Sequence, residues 1–250
     1  MTPTANRKVF IAGATSAIAQ AIARLCAVRG DSLFLVARDP DRLQAVALDL
    51  IARGAPAVET MAADLDDLAR HPALVEKAWT AMGGLDVALV AYGVLIDQRQ
   101  CDENPAEGTR QLHTNFVSPV SLLTCLAARF EATGAGSLVA LGSVAGDRGR
   151  GSNYHYGASK AGLATFLDGL RHRLAKSGVH VLTVKPGFVD TPMTSAFPKG
   201  ALWASPALVA GDVMRAIDGR RAVIYTPWFW RWIMMIIRNL PRAILHRTNL

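Results

Sequence analysis

The sequence predicts an α/β fold in which a doubly wound, parallel sheet of seven strands carries helices on both faces. Short apolar runs of β-forming residues alternate with longer segments whose apolar residues recur at helical spacing. No repeat or low-complexity linker interrupts this alternation. A chain of 250 residues, 51% of them hydrophobic, can bury a substantial core in one domain.

Each predicted strand is a short apolar run bounded by glycine or polar residues, and each predicted helix repeats apolar residues every third or fourth position. The strands are residues 8–12, 32–37, 57–62, 86–91, 136–141, 180–184 and 222–225. The helices are residues 18–28, 41–53, 72–82, 108–131, 154–176 and 205–217. Right-handed crossovers between parallel strands then place helices on both faces of the sheet.

Tyr156 and Lys160 lie four residues apart in a predicted helix and therefore share one of its faces. An ammonium beside a phenol favours its ionised form, so such a tyrosine can act as an acid or base near neutral pH. The same spacing is common on solvated helix faces, and Tyr154 has no lysine four residues on. Ser143 directly follows a predicted strand, where open α/β sheets bind ligands. Its position favours the catalytic interpretation of the pair.

Ser143, Tyr156 and Lys160, in this order and spacing, closely resemble the catalytic set of the short-chain dehydrogenase/reductase family. The resemblance covers nearly the whole chain and implies a Rossmann fold and hydride transfer between a nicotinamide cofactor and a carbonyl/alcohol pair. It implies that Tyr156 protonates the carbonyl oxygen, that Ser143 hydrogen-bonds this oxygen, and that Lys160 lowers the tyrosine pKa and binds the nicotinamide ribose. Asn115, which matches the family's fourth polar residue, is expected to hold a water that returns protons to Lys160.

The turn after the first strand matches the family's phosphate-binding turn in position and partly in sequence. The family pattern Gly-x-x-x-Gly-x-Gly is met here by Gly13, while Ala17 and Ala19 replace the second and third glycines. Each replacement adds one methyl where the backbone approaches the pyrophosphate or a helix packs closely. Thr15 and Ser16 add hydroxyls that can reach phosphate oxygens, and Ile18 completes the turn. We expect the site to bind a dinucleotide despite the two alanines.

Four further stretches match cofactor contacts of the family. Arg38 follows the tip of the second strand, where a basic residue suits the 2′-phosphate of NADP, although Asp39 could pair with it. Asp64 and Leu65 match the adenine-contacting step. Of the usual Asn-Asn-Ala-Gly after the fourth strand only Gly93 is present, and the missing asparagine removes a hydrogen-bond partner between strands. The Pro-Gly turn and the threonine that contacts the nicotinamide amide are matched by Pro186, Gly187, Val189 and Thr191.

Composition and charge indicate which partners and which cellular compartment to expect for the protein. The net charge of +7 is not accompanied by runs of Lys and Arg with interleaved aromatics, so we expect no nucleic-acid partner. The three cysteines have neither metal-ligand spacing nor the density of a disulfide scaffold, which favours a reduced, cytoplasmic setting without a metal. The N-terminal apolar run is too short for a secretion signal or a membrane span.

The C-terminal stretch 228–247 is rich in aromatic residues and arginine, and the chain has no acidic residue after Asp218. Its apolar run is shorter than the ~20 residues that span a bilayer. It is interpreted as a peripheral contact with the inner face of a membrane, a subunit contact or a lid over the active site. We therefore divide the chain into a catalytic domain, 1–226, and a dependent segment, 227–250. The altered glycine motif and this segment also resemble, more loosely, the decaprenylphosphoryl-2-keto-ribose reductase group.

These features together predict an NADPH-dependent carbonyl reductase, preferring NADP(H) to NAD(H), that acts on an apolar or lipid-linked substrate, including a sugar. Arg148 and Arg150, in the glycine-rich loop before Tyr156, suit a phosphate or form a solvated loop. The family resemblance implies a homodimer or homotetramer. A non-catalytic dinucleotide-binding regulator and a membrane-surface scaffold are the alternatives on the same fold.

Overall fold

The computed structural model describes residues 6–245, and the strands and helices within this range alternate along the chain. The strands are β1 Lys8–Ala12, β2 Ser32–Ala37, β3 Val58–Ala62, β4 Val87–Val90, β5 Ser137–Leu141, β6 His180–Pro186, β7 Phe188–Val189, β8 Trp203–Ala204 and β9 Val223–Thr226. The α-helices are α1 Ala17–Val28, α2 Pro40–Ala52, α3 His71–Met82, α4 Gln98–Glu103, α5 Pro105–Leu112, α6 Ser118–Thr133, α7 Tyr154–Leu174, α8 Pro206–Asp218, α9 Trp230–Asn239 and α10 Arg242–Leu245.

Seven strands form one parallel sheet in the order β3-β2-β1-β4-β5-β6-β9. Helices α1, α2 and α8 cover one face, and α3, α6 and α7 cover the other. Alternate strand residues enter the two cores, as Ile11 and Phe10 of β1 do. The chain changes direction along the sheet between β1 and β4, which opens a crevice at the carboxyl ends of these strands. The predicted seven-stranded, doubly wound single domain is confirmed.

The prediction of one continuous helix over residues 108–131 is wrong, because this stretch is interrupted near its middle. Helix α5 ends at Leu112, the next five residues, His113–Val117, form a π-helical turn, and α6 then begins. Pro119 has no N–H to donate to the carbonyl of Asn115 four residues earlier, so the regular helical ladder is interrupted here. Such π turns are frequent at functional sites.

Helix α4 and the short parallel pair β7 and β8 did not appear among the predicted elements. Each is brief, and the sequence of α4 is polar, so neither has a hydrophobic period to detect. The pair β7 and β8 joins the turn after β6 to the segment before α8 and thus frames one side of the crevice.

The C-terminal segment folds back onto the domain through α9. No helix among residues 6–245 is both long and apolar enough to cross a membrane. The last residues of the predicted membrane contact, His246 and Arg247, lie outside the described residues.

Candidate active site

A cleft of about 370 Å³ opens at the carboxyl ends of the central strands. All fourteen residues predicted to bind the cofactor line it, together with Ser143 and Tyr156. The cofactor set comprises Gly13, Thr15, Ser16, Ala17, Ile18, Arg38, Asp64, Leu65, Gly93, Lys160, Pro186, Gly187, Val189 and Thr191. Asn115 is fully buried behind the wall of the cleft and does not line it.

Tyr156 and Lys160 lie on the cleft face of α7, with the lysine Nζ 5.7 Å from the centre of the tyrosine ring. Lys160 is buried and donates a hydrogen bond of 3.0 Å to the carbonyl of Leu141, at the end of β5. Ser143 follows β5, and its hydroxyl interacts with the hydroxyl of Tyr156. Tyr154 instead points away from the cleft and donates to Asp102.

The start of α7 is held by α4. Nε2 of Gln98 and Nδ1 of His155 lie 2.7 Å apart, and Gln98 also accepts a hydrogen bond from the backbone of His155. Because His155 directly precedes Tyr156, these bonds fix the first turn of the helix that presents the tyrosine. Sequence reasoning missed this contribution since α4 itself was not predicted.

The pKa of Tyr156 is raised by burial, and the hydrogen bond with Ser143 only partly opposes this effect. Burial lowers the pKa of Lys160 to about 8. Burial dominates both pKa shifts, because desolvation disfavours the charged form of each side chain. The lowering of the tyrosine pKa by Lys160 stays a prediction. At neutral pH the arrangement holds a protonated tyrosine beside a lysine that can release its proton.

Asn115 sits in the π turn, and its side chain bonds twice to one residue. Oδ1 accepts from the amide of Val94 and Nδ2 donates to the carbonyl of Val94, both at 2.7 Å. The side chain thus fixes the loop after β4. A Cβ on Gly93 would lie 2.8 Å from Oδ1 of Asn115, so a glycine is needed for this close approach.

The turn that is predicted to bind the pyrophosphate contains a single glycine. Gly13 has a φ of +81°, and a Cβ there would lie 2.7 Å from the Cβ of Tyr92, so glycine is required on both counts. Ser16 caps α1, its hydroxyl accepting from the amide of Ala19. The methyl of Ala17 lines the cleft, whereas that of Ala19 is buried in the core. The amides at the start of α1 lack carbonyl acceptors within the helix, a setting that suits an anion.

Arg38 and Arg42 both line the cleft beyond β2. The carboxylate of Asp39 does not pair with Arg38. It caps α2, accepting from the amides of Asp41 and Arg42. Arg42 was not among the predicted site residues, although its place four residues after Arg38 in the first turn of α2 was a usable signal.

The loop after β3 is tied to the π-turn region by buried side chains. The hydroxyl of Ser118 donates to the carbonyl of Leu65 and lies 2.7 Å from the hydroxyl of Tyr92. Thr114 donates to Oδ2 of Asp66 at 2.6 Å. Tyr92 therefore supplies a link between β4 and the β3 loop where the family's asparagine is missing. This link was not predicted because it depends on residues distant in sequence.

Asp66, Thr114 and Tyr92 also line the cleft and were absent from the predicted set. Oδ1 of Asp66 is buried without a hydrogen-bond partner among the described residues. A free acceptor on the cleft wall suits a ligand with an amino group, as an adenine has. Together with the amides of α1 and the two arginines, this orphaned oxygen shows that the residues present fit a dinucleotide.

The far wall of the cleft is supported by α9. A Cβ on Gly187 would lie 1.9 Å from Nε1 of Trp230, so the indole packs directly on the Pro186-Gly187 turn. Phe188 contacts both Trp203 and Trp230, with ring centres 5.4 and 5.3 Å apart. Helix α9 thus packs behind this turn, but none of its residues lines the cleft, so the three interpretations of the C-terminal segment stay predictions.

The two arginines of the glycine-rich loop do not form a phosphate site together. Arg148 donates to the carbonyls of Arg238 and Leu240 at the end of α9, at 3.1 and 3.3 Å. Arg150 is half-buried, and its Nε has no partner among residues 6–245. Neither residue lines the cleft.

Comparisons with known proteins identify the family of this chain. A family model described as short chain dehydrogenase matches residues 7–201. An uncharacterised oxidoreductase of Mycobacterium tuberculosis is 40% identical over 247 residues, 99% of each chain. One of Streptomyces coelicolor is 34% identical over 96% of this chain and 95% of its own. The crystal structure of levodione reductase shares the fold with a TM-score of 0.80 at 22% identity, over 88% of this chain and 96% of that one. The chain belongs to the short-chain dehydrogenase family and is an NAD(P)-dependent oxidoreductase.

Proposed function

We propose that the protein is an NADPH-dependent reductase that converts a keto group of an apolar or lipid-linked substrate to an alcohol. The observation that carries this proposal is the pairing of a protonated Tyr156 with Lys160 and Ser143 on one wall of the cleft. A tyrosine whose pKa is raised by burial keeps its proton at neutral pH. Reduction of a carbonyl needs a proton donor beside the carbonyl oxygen.

When bound at the cleft, a nicotinamide cofactor would supply the hydride that reduces the carbonyl carbon. Ser143 donates a hydrogen bond to the carbonyl oxygen as negative charge develops there. Tyr156 gives its proton to the same oxygen and becomes a phenolate. Lys160 stabilises the phenolate and then returns a proton to it, since burial has already lowered the lysine pKa to about 8. Asn115 fixes the loop at Val94 and is proposed to hold the water that restores the lysine proton.

The preference for NADPH rests on Arg38 and Arg42. Both guanidinium groups border the cleft beyond β2, and Asp39 is turned into the cap of α2. A carboxylate there would favour the ribose hydroxyls of NAD, whereas two guanidinium groups favour a 2′-phosphate.

An apolar substrate is supported by the rim of the cleft. Met193 lines the cleft, and Phe197, four residues on in the segment between β7 and β8, is about half exposed. These side chains offer apolar contacts to the part of a substrate that extends from the site.

The proposal is tested by following NADPH oxidation with a panel of carbonyl compounds: aromatic 1,2-diketones, long-chain ketones and ketosugars. We expect an apolar diketone to be reduced and NADPH to give a higher kcat/KM than NADH. Tight NADPH binding without turnover of any member would instead favour the non-catalytic regulator.

A lipid surface is the second proposal and concerns the outer face of α9. On α9, Trp232 is 52% and Ile236 is 62% exposed, and Trp228, two residues before the helix, is 72% exposed. Arg231 and Arg238 lie on the same helix. Aromatic side chains suit the headgroup level and arginines suit anionic lipid. A scaffold that used this surface alone would not require the Ser143, Tyr156 and Lys160 arrangement.

Removing the whole segment would expose Val144, so the membrane proposal is better tested with substitutions on the outer face. The double variant Trp232→Glu, Ile236→Glu should lose co-sedimentation with vesicles of phosphatidylcholine and phosphatidylglycerol. The matched control is Leu48→Glu, Ile51→Glu, which charges two exposed residues of α2. Equal sedimentation of all three proteins, or none with the wild type, would exclude the membrane contact.

A homodimer or homotetramer is proposed through the outer surfaces of α6 and α7. Val117, just before α6, is 41% exposed, and Tyr154, at the start of α7, is 46% exposed. Light scattering coupled to size exclusion should give at least twice the mass of one chain, and Val117→Glu should lower it.

A further inference from the structure

The turn that follows Ser143 is held from outside the catalytic domain by the C-terminal helix. Val144 of this turn forms a small apolar cluster with Trp230 and Met234 of α9. Arg148, at the other end of the turn, reaches past it to the carbonyls that close α9. Helix α9 thus contacts both ends of the turn.

Arg148 is well matched to this position. Its two terminal nitrogens bind two different carbonyls, those of Arg238 and Leu240, in the fork geometry that only arginine provides. The carboxyl end of a helix carries partial negative charge and unpaired carbonyls, so a guanidinium there is favourable on both counts. An ammonium lacks this planar fork, so a lysine would hold the two carbonyls less well.

A buried polar group fixes the middle of the same turn. Asp147 accepts from Lys185 at 2.5 Å and from the hydroxyl of Tyr225 at 2.6 Å. Lys185 immediately precedes the Pro186-Gly187 turn, and Tyr225 lies in β9, just before the segment that leads to α9. Burial and the carboxylate raise the pKa of Tyr225 to about 12, so its hydroxyl remains a donor.

We propose that Arg148 is a positioning residue for catalysis: through the end of α9 it holds the turn 144–148, and thereby Ser143, against Tyr156. The proposal rests on the proposed role of Ser143 but makes a structural claim that can be measured without turnover. The hydroxyl of Ser143 accepts from the amide of Ala145 at 3.1 Å, so exchange of this amide reports directly on the serine. The C-terminal segment would then help to position a catalytic side chain.

The test compares Arg148→Ala and Arg148→Lys with the wild type, by hydrogen exchange and by reduction of an aromatic 1,2-diketone with NADPH. Arg220→Ala is the matched control, because it removes an arginine bond to the carbonyl of Gly178 away from the cleft. We expect Arg148→Ala to speed exchange at Ala145 at least tenfold and to lower kcat at least tenfold. The KM for NADPH should stay within twofold, and Arg148→Lys should recover part of both losses.

Unchanged exchange at Ala145 in Arg148→Ala would overturn the proposal whether or not the diketone is reduced. A fall in kcat that Arg220→Ala reproduces at the same loss of stability would also overturn it, since the effect would then be general. If the wild type reduces no member of the panel, the proposed function fails while the exchange measurement still decides the positioning of Ser143.

Discussion

At the scale of single residues, the catalytic pair is governed by burial more than by mutual attraction. Lys160 is 5% exposed, and its contact with the carbonyl of Leu141 does not replace the hydration that it loses. Its pKa falls to about 8, while that of Tyr156 rises. Proximity in sequence predicted the pair, but the direction of these shifts depends on the whole surroundings of the cleft.

The lowered pKa of Lys160 makes a prediction about stability. Between pH 8 and 9.5 the lysine of the unfolded chain keeps its proton while that of the folded chain releases it, so the unfolded state binds more protons and stability rises with pH. The gain from this group is about 1.5 kcal/mol. Urea unfolding at the two pH values should show this gain in the wild type relative to Lys160→Met. The same pH dependence in both proteins would contradict a lowered lysine pKa.

Arg38 and Arg42 should differ in their effects on cofactor affinity. Arg38 makes no ion pair with any described residue, whereas Arg42 already donates to the carbonyl of Thr15. Arg38→Ala should weaken NADPH binding about tenfold or more and leave NADH unchanged, and Arg42→Ala should have a smaller effect. Fluorescence titration measures both. Arg53→Ala, at the other end of α2, is the control, and an equal loss of NADH affinity in Arg38→Ala would refute the phosphate role.

At the scale of elements, the loops around the cleft are set by contacts between distant parts of the chain. The β3 loop depends on Ser118 and Thr114 of the π-turn region, and the Pro186-Gly187 turn depends on Trp230 of α9. The order of strands and the catalytic spacing could be predicted because each depends on residues that are close together in the sequence. The contacts that hold these loops could not be predicted, since Tyr92, Asp66 and Trp230 meet their partners only after folding.

Gly187→Ala tests the contact between α9 and the cleft wall. The backbone of Gly187 does not need glycine for its φ, but a Cβ would lie 1.9 Å from the indole of Trp230. The indole must therefore move, at a cost of about 1–3 kcal/mol in the free energy of unfolding. Urea unfolding and the tryptophan emission maximum should both change. Gly169→Ala, on an exposed helix position with nothing within 4 Å, should be neutral or stabilising.

If Gly187→Ala were as stable as Gly169→Ala, with unchanged emission, the packing of Trp230 on this turn would be wrong. The pair of variants separates this contact from a general effect of adding a methyl group. It also tests the division of the chain, because a destabilised Gly187→Ala would mean that residues 227–239 behave as part of the domain.

At the scale of the whole molecule, the fold places the catalytic edge of the sheet beside the C-terminal helix α9, whose outer face is apolar. The cleft lies at the carboxyl ends of the strands, as in other doubly wound sheets. Helix α9 packs its inner face against the turns that border this cleft and exposes its outer face to solvent. The composition predicted the single domain and the basic C-terminal segment. The two faces of α9 required the structure, because Trp230 and Trp232 look alike in sequence and only one of them is buried.

The central claim is that Tyr156 is the proton donor in a carbonyl reduction driven by NADPH. The direct measurement is the turnover of a reducible 1,2-diketone by the wild type and by Tyr156→Phe at saturating NADPH, with NADPH affinity measured in both. Phenylalanine keeps the ring and removes the acid, so kcat should fall by about 10²-fold or more while the Kd for NADPH stays within a few-fold. Equal turnover by the two proteins would contradict the assignment of Tyr156 and the mechanism built on it.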